Sequence, residues 1–117
     1  MKSALLVVAL LLSSSLPALA QNPRSEAEKH VKFGISVAQY NLWREAISRF
    51  ERAADLDPTY AAAFNNLAIA YEQQGDLPRA AKAYEQALKL EPDNQYIKQN
   101  YELFREIHDR ANRQGSR

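Results

Sequence analysis

The chain repeats itself. Residues 61–94 (AAAFNNLAIAYEQQGDLPRAAKAYEQALKLEPDN) and the preceding 27–60 share a register offset by 34 positions. They are identical at Ala27/Ala61, Ile35/Ile69, Gln39/Gln73, Ala46/Ala80, Glu51/Glu85, Ala53/Ala87, Leu56/Leu90 and Pro58/Pro92. A period of this length is that of a stacked array, in which one unit cannot bury its apolar face alone and neighbours complete the core. Within the second copy Phe64, Leu67, Ala68 and Tyr71 stand at i, i+3, i+4 and i+7, which is one face of a helix. Ala80, Tyr84 and Ala87 mark the matching face of a second helix. The alanines let two backbones approach closely, and the rings fill the space beside them.

Turn residues divide the copies consistently. Gly75 can take the left-handed backbone that ends a helix, and Asp76 can cap the next one. Pro78 then falls in a first turn, where its missing N–H costs little. In the first copy Asn41 stands for Gly75, Leu42 replaces the capping Asp76, and Trp43 holds the place of Leu77 as a packing anchor. Asp57-Pro58 and Glu91-Pro92 break the chain between units. Ser25 with Glu28 has the spacing of a capping box and marks the first helix start. These signals predict helices at 25–40, 43–56, 59–74, 77–90 and 94–112. No stretch alternates with the period of a strand.

The second copy resembles one tetratricopeptide repeat, whose signature runs W-x2-L-G-x2-Y, A-x3-F and P. Phe64-x2-Leu67-Ala68-x2-Tyr71, Ala80-x3-Tyr84 and Pro92 follow it. The first copy is similar at Phe33, Gly34, Ala46, Phe50, Ala53 and Pro58, but departs at His30 and Val37, where the family carries large aromatics. The resemblance implies an all-α fold, a short right-handed solenoid of two helix-turn-helix repeats with a C-terminal capping helix. The expected organisation is a signal peptide 1–20, a flexible lead 21–26, repeats at 27–60 and 61–94, a capping helix 95–112 and a disordered tail 113–117.

Gln95 onward starts a third copy that changes character. Lys98, Glu102 and Arg105 occupy the signature positions, and a carboxylate at Glu102 could not be buried there without a partner. The remaining stripe Ile97, Tyr101, Phe104 and His108 is expected to dock on the second repeat, with the charged residues left in water as a polar cap.

Met1 to Ala20 reads as a secretory signal peptide: Lys2, the apolar run Ala4–Leu12, and a small-x-small site at Ala18-Leu19-Ala20. Nine apolar residues fall short of the about 20 that a membrane span needs. The expected destination is the periplasm or the exterior. Without Lys2 the chain carries 14 acidic residues and equally many basic ones. That balance gives no clustered positive excess for nucleic acid and none for anionic lipid. With no cysteine, stability must come from helix packing.

No catalytic constellation is present. His30 and His108 belong to no paired metal-ligand motif, no Gly-rich phosphate loop exists, and the carboxylates sit near bases as in Glu45/Arg49, the pattern of a solvated helix face. No cofactor or metal is expected. The resemblance implies instead a binding groove lined by the first helix of each unit: Val31, Ile35 and Gln39, then Asn65, Asn66, Ile69 and Gln73, then Leu103. The family's clamp for acidic C-termini is not expected, because Val31, Ile35, Tyr96 and Asn100 hold its positions and only Asn66 matches. The row Ile35, Ile69 and Leu103 with amides beside it suits an apolar peptide segment, paired through its backbone, or a second copy of the chain.

Overall fold

The computed structural model describes residues 22–116. The signal-peptide reading of 1–20 lies outside them. Five helices follow one another: α1 (Pro23–Ala38), α2 (Trp43–Leu56), α3 (Ala61–Gln73), α4 (Leu77–Leu90) and α5 (Gln95–Gly115). Among the described residues there is no strand. α1 packs on α2 and α3 on α4; α3 also lies against α2, and α5 against α4. The fold is the all-α repeat solenoid anticipated above.

The two turns inside the pairs are built alike. Asn41 and Gly75 both take positive φ, 61° and 75°. The following N–H groups reach back over the turn, Leu42 N to Val37 O (3.2 Å) and Asp76 N to Tyr71 O (2.9 Å). This is the Schellman closure, which satisfies carbonyls that a helix end leaves free. Asp76 caps α4 by accepting from Arg79 N at 3.2 Å. Leu42 offers α2 no side-chain cap, as its apolar side chain dictates.

Two helix ends extend beyond the sequence expectation. α1 starts at Pro23, not at Ser25, because Asn22 Oδ1 accepts from Arg24 N (3.0 Å) and Pro23 needs no partner for a missing N–H. Residues 23–26 are therefore helical rather than a flexible lead. Arg24 is further held by Asp57 (2.6 Å) and lies over the Tyr60 ring (4.6 Å). At the other end α5 continues through residues 113–115 instead of dissolving into a tail. An ion pair Arg110–Glu106 (2.6 Å) supports that last stretch, and Arg113 Nε donates to Asp109 O.

The core is a ladder of small residues with rings set between them. Ala27, Ala46, Ala53, Ala63, Ala68, Ala70, Ala80 and Ala87 are fully enclosed. Phe50 lies against Gly34 so closely that a Cβ there would overlap three of its ring carbons. One repeat later Tyr84 is buried as Phe50 is, and Ala68 stands in place of Gly34. Phenols bind successive units together. Tyr71 Oη donates to Glu51 (2.8 Å) and Tyr101 Oη to Glu85 (3.1 Å). This explains why glutamate recurs at 51 and 85: each accepts from the next unit's first helix. Tyr84 Oη donates inside its own repeat, to Glu72 (3.0 Å).

The two ends of the array are closed differently. On α3 and α5 one row of residues packs against the preceding unit: Ala63, Leu67 and Ala70, then Ile97 and Phe104, all buried. The equivalent row on α1 is Lys29, Phe33 and Ser36, which is exposed, Phe33 at 47 %. Arg49 covers it in part. Its guanidinium lies 4.2 Å from the Phe33 ring centre and 3.5 Å from His30 Nδ1. The expected i,i+4 pairing of Arg49 with Glu45 is thus replaced by stacking on an aromatic face, a cation–π contact worth about 0.5–1 kcal/mol at an exposed site. At the far end Glu102 and Arg105 point to water and Lys98 is half-exposed, as a polar cap requires.

α5 is docked by Ile97, Phe104 and an amide pair of which Asn65 is buried and Asn100 half-buried. Asn65 is only 3 % exposed and its Oδ1 accepts from Asn100 Nδ2 at 3.2 Å. A polar pair in an apolar seam specifies one register of the helix that carries it. Asn65→Leu removes the acceptor and leaves the Asn100 amide facing the seam. The expected cost is about 1–3 kcal/mol, read as a lower urea midpoint with loss of amide-exchange protection concentrated in α5; uniform loss across all helices would contradict the role.

Candidate functional site

The first helices α1, α3 and α5 present their remaining face side by side. Ile35 is 42 % exposed and Leu103 57 %; Ile69, between them in the repeat register, is half-buried. Ile107, one turn beyond Leu103, is exposed as well. Phe33, Tyr40, Leu42 and Tyr96 are exposed outside this row, but here the aliphatic groups run along one face, and contiguous apolar patches mark interaction sites.

Two clefts open along this face. The first, of about 240 Å³, lies between α1 and α3 and is lined by Ile35, Ala38, Gln39, Trp43, Phe50, Asn66 and Ile69. Its floor is the buried Phe50 and its wall the half-buried Trp43. No charged side chain lines it. Asn66 uses its Nδ2 on Ala62 O (2.7 Å), which leaves its oxygen as an acceptor. The second cleft, of about 290 Å³, lies between α3 and α5 and is lined by Glu72, Gln73, Leu77, Phe104, Ile107, His108 and Ala111. Glu72 Oε2 accepts the Tyr84 hydroxyl there. The His108 ring stacks on Phe104 (6.0 Å between centres, 12° between planes), and its Nδ1 is enclosed without a hydrogen-bond partner.

Of the residues expected in the groove, the structure brings Ile35, Gln39, Asn66 and Ile69 to the first cleft and Gln73 to the second. Leu103 stands exposed on α5. Two expectations are corrected. Val31 is 5 % exposed and belongs to the core, and Asn65 is bonded to Asn100. Both occupy the same repeat position, which faces the next unit's first helix and not the open face. The reading by resemblance omitted Trp43 and Phe50 as cleft residues, and Leu77, Phe104, Ile107 and His108. The repeat register held part of that signal, since Gln39/Gln73 and Trp43/Leu77 are the same positions one unit apart.

A family described as "Tetratricopeptide repeat" matches residues 61–94, and a second, "TPR repeat", matches 38–75. Residues 38–94 are therefore similar to tetratricopeptide repeats. Both matches leave out residues 23–37 of α1, the helix in which His30 and Val37 depart from the signature. The chain is 37% identical over 68 residues to the chloroplastic tetratricopeptide repeat domain-containing protein PYG7 of Arabidopsis thaliana, covering 58% of this chain and 23% of that protein. It is 32% identical over 63 residues to the Hsp70-Hsp90 organizing protein of Triticum aestivum, covering 54% of this chain and 11% of that one. Photosystem I assembly protein Ycf3 of Rippkaea orientalis is 27% identical over 97 residues, which covers 71% of this chain and 56% of that protein. The chain thus spans a quarter or less of the first two and about half of the third. Relatives named as glycosyltransferases also match, 46% identical over 72 residues in Petunia hybrida, but this chain covers only 8% of that protein, within its repeats. Tetratricopeptide repeats mediate contacts between proteins.

Proposed function

We propose that this chain is a non-enzymatic adaptor that holds a peptide segment of a partner protein across the α1–α3–α5 face. The observation that carries the reading is the distribution of exposed apolar surface. Arg49 covers part of the first end and charged residues face water at the last, while Ile35, Ile69, Leu103 and Ile107 line an open face with two clefts. Amides at Gln39, Asn66 and Gln73 stand beside them, ready to pair with a peptide backbone. Two of the relatives are named for organizing or assembling other proteins, which supports a role of this class.

Ile69→Asp places a charge in the middle of the face. It is expected to abolish capture of the partner in a crosslinking pulldown from the native envelope, with the helical melt within a few degrees of the parent. Capture that survives the substitution refutes the groove. The same face also fits a second copy of the chain, since Leu103 and Ile107 project from it while the clefts accept. Light scattering over a concentration series separates the two: a monomer at high concentration leaves the partner peptide as occupant. The proposed location is the periplasm or the exterior, on the leader read in residues 1–20. A mature protein whose mass begins at Gln21 supports it, and an intact Met1 in the cell overturns it.

A further inference from the structure

Resting on that reading, we infer that the α1–α3 cleft takes one uncharged bulky side chain of the partner segment, aromatic or branched aliphatic, and that Tyr40 and Leu42 form its outer lip. The cleft lies between two uncharged stretches. Residues 33–43 and 58–71 hold no acidic or basic side chain, in a chain where one residue in four is charged. Four other clefts on the molecule each carry charged side chains. A charge entering this one would leave water without meeting a counter-ion. Its volume of about 240 Å³ exceeds the about 150 Å³ apolar cavity that accepts benzene.

The lip follows from comparing the two turns. Gln39 and Trp43 both line the cleft, so the turn between them borders it. One repeat later the positions of Tyr40, Asn41 and Leu42 hold Gln74, Gly75 and Asp76. There Asp76 accepts from Arg79 N and caps α4. Leu42 leaves α2 without a side-chain cap, where an Asp would stabilise the helix start. The core does not absorb Leu42 in exchange, since it is 46 % exposed, and Tyr40 at 77 % is more exposed than any other large hydrophobic residue described. The Tyr40 hydroxyl makes no hydrogen bond among the described residues, whereas Tyr71, Tyr84 and Tyr101 each bond a glutamate. The fold makes little use of either side chain, and both stand beside the uncharged cleft.

A peptide fits this surface better than a bilayer does. Two apolar side chains at one turn are a small wedge, and a net charge of +1 adds little attraction to anionic lipid. The cleft also offers polar groups that an acyl chain cannot use. Asn66 Oδ1 is free, because Nδ2 is the atom that bonds Ala62 O, and the Gln39 amide is exposed. A peptide backbone brings the N–H and C=O groups that match them.

Trp43 is the only tryptophan of the chain, so its emission reports occupancy of the cleft. The probes are unlabelled, terminally blocked decapeptides of glycine, serine and glutamine with one central Phe, Leu, Ala, Glu or Lys. Phe and Leu peptides are expected to shift the emission and to bind tighter than the Ala peptide. Glu and Lys peptides should bind at least about tenfold more weakly than the Phe peptide. Tyr40→Gln and Leu42→Asp give the first turn the residues of the second. Each is expected to weaken the Phe peptide roughly fivefold or more while the urea midpoint stays at or above the parent's. Affinity indifferent to charge, or unchanged in both turn variants, overturns the inference; if Ile69→Asp still abolishes binding, the groove itself stands. A lowered midpoint with unchanged affinity assigns the two side chains to the fold and overturns it as well. Self-association in light scattering that Tyr40→Gln removes overturns it in favour of a second copy. Binding to phosphatidylcholine vesicles that Tyr40→Gln removes does so in favour of a bilayer. A panel in which no peptide binds overturns both the inference and the groove.

Discussion

Phe50→Ala is expected to remove about 3–5 kcal/mol of folding stability, a large share of the roughly 5–15 kcal/mol that holds a domain against unfolding. Phe50 is 2 % exposed, and its ring fills the seam between α1 and α2 and floors the first cleft. Urea unfolding followed by circular dichroism measures the loss. The contact with Gly34 makes a sharper version possible. A methyl group at 34 would overlap the ring, so Gly34→Ala alone is expected to cost about 1–3 kcal/mol by overpacking. Combined with Phe50→Leu, which vacates the ring's outer carbons, the alanine should cost less than it does alone. Strict additivity of the two substitutions would show that the tight fit seen here is not what destabilises the single variant.

That pair also shows why some of this structure was legible and some was not. The repeat register placed Gly34, Ala68, Phe50 and Tyr84 correctly because small-against-large packing depends on residue type and spacing alone. The bounds of α2 and α4 were legible for the same reason, since their breaks carry Asn41, Gly75 and the two prolines. The groove was less so. Val31 and Ile35 are one turn apart on α1, both aliphatic, and only the position of α3 sends one inward and leaves the other in the open. Asn65 and Asn66 are identical in type and adjacent. One is buried because Asn100, 35 residues later, brings an amide to it; the other keeps an oxygen free because its nitrogen turns to its own helix. The start of α1 was misplaced because Ser25 fits a capping rule in isolation, whereas Asn22 caps with Pro23 already in helical geometry. Helix-end rules rank candidates, and the long-range anchor from Arg24 to Asp57 lies beyond their reach.

Stability is expected to fall steeply between pH 10 and 12, through the phenols that bond glutamates between and within the repeats. Burial, then the Glu51 carboxylate beside it, pushes the Tyr71 hydroxyl up to about 12. Tyr84 is driven higher by burial and by Glu72, and Tyr101 is raised by burial and by Glu85. In the unfolded chain a phenol titrates near 10. A folded-state value above the unfolded one means that the contribution is whole below pH 10 and is lost as the pH rises through the folded value. At about 1.4 kcal/mol per unit, the shift of Tyr71 from 10 to about 12 corresponds to roughly 2–3 kcal/mol. Unlike a surface ion pair, the effect should persist in high salt, because the phenols are packed against apolar neighbours. Urea midpoints at pH 8, 10, 11 and 12 measure it. Tyr71→Phe separates this cause from general alkaline damage. The variant loses the hydrogen bond to Glu51 and should be the less stable at pH 8, by about 1–3 kcal/mol. It also lacks one group that ionises, so its curve should be flatter and approach the parent's near pH 12. Parallel curves for the two proteins would remove Tyr71 as the source of the alkaline loss, and with it the claim that the phenol–carboxylate contacts between repeats hold the array together.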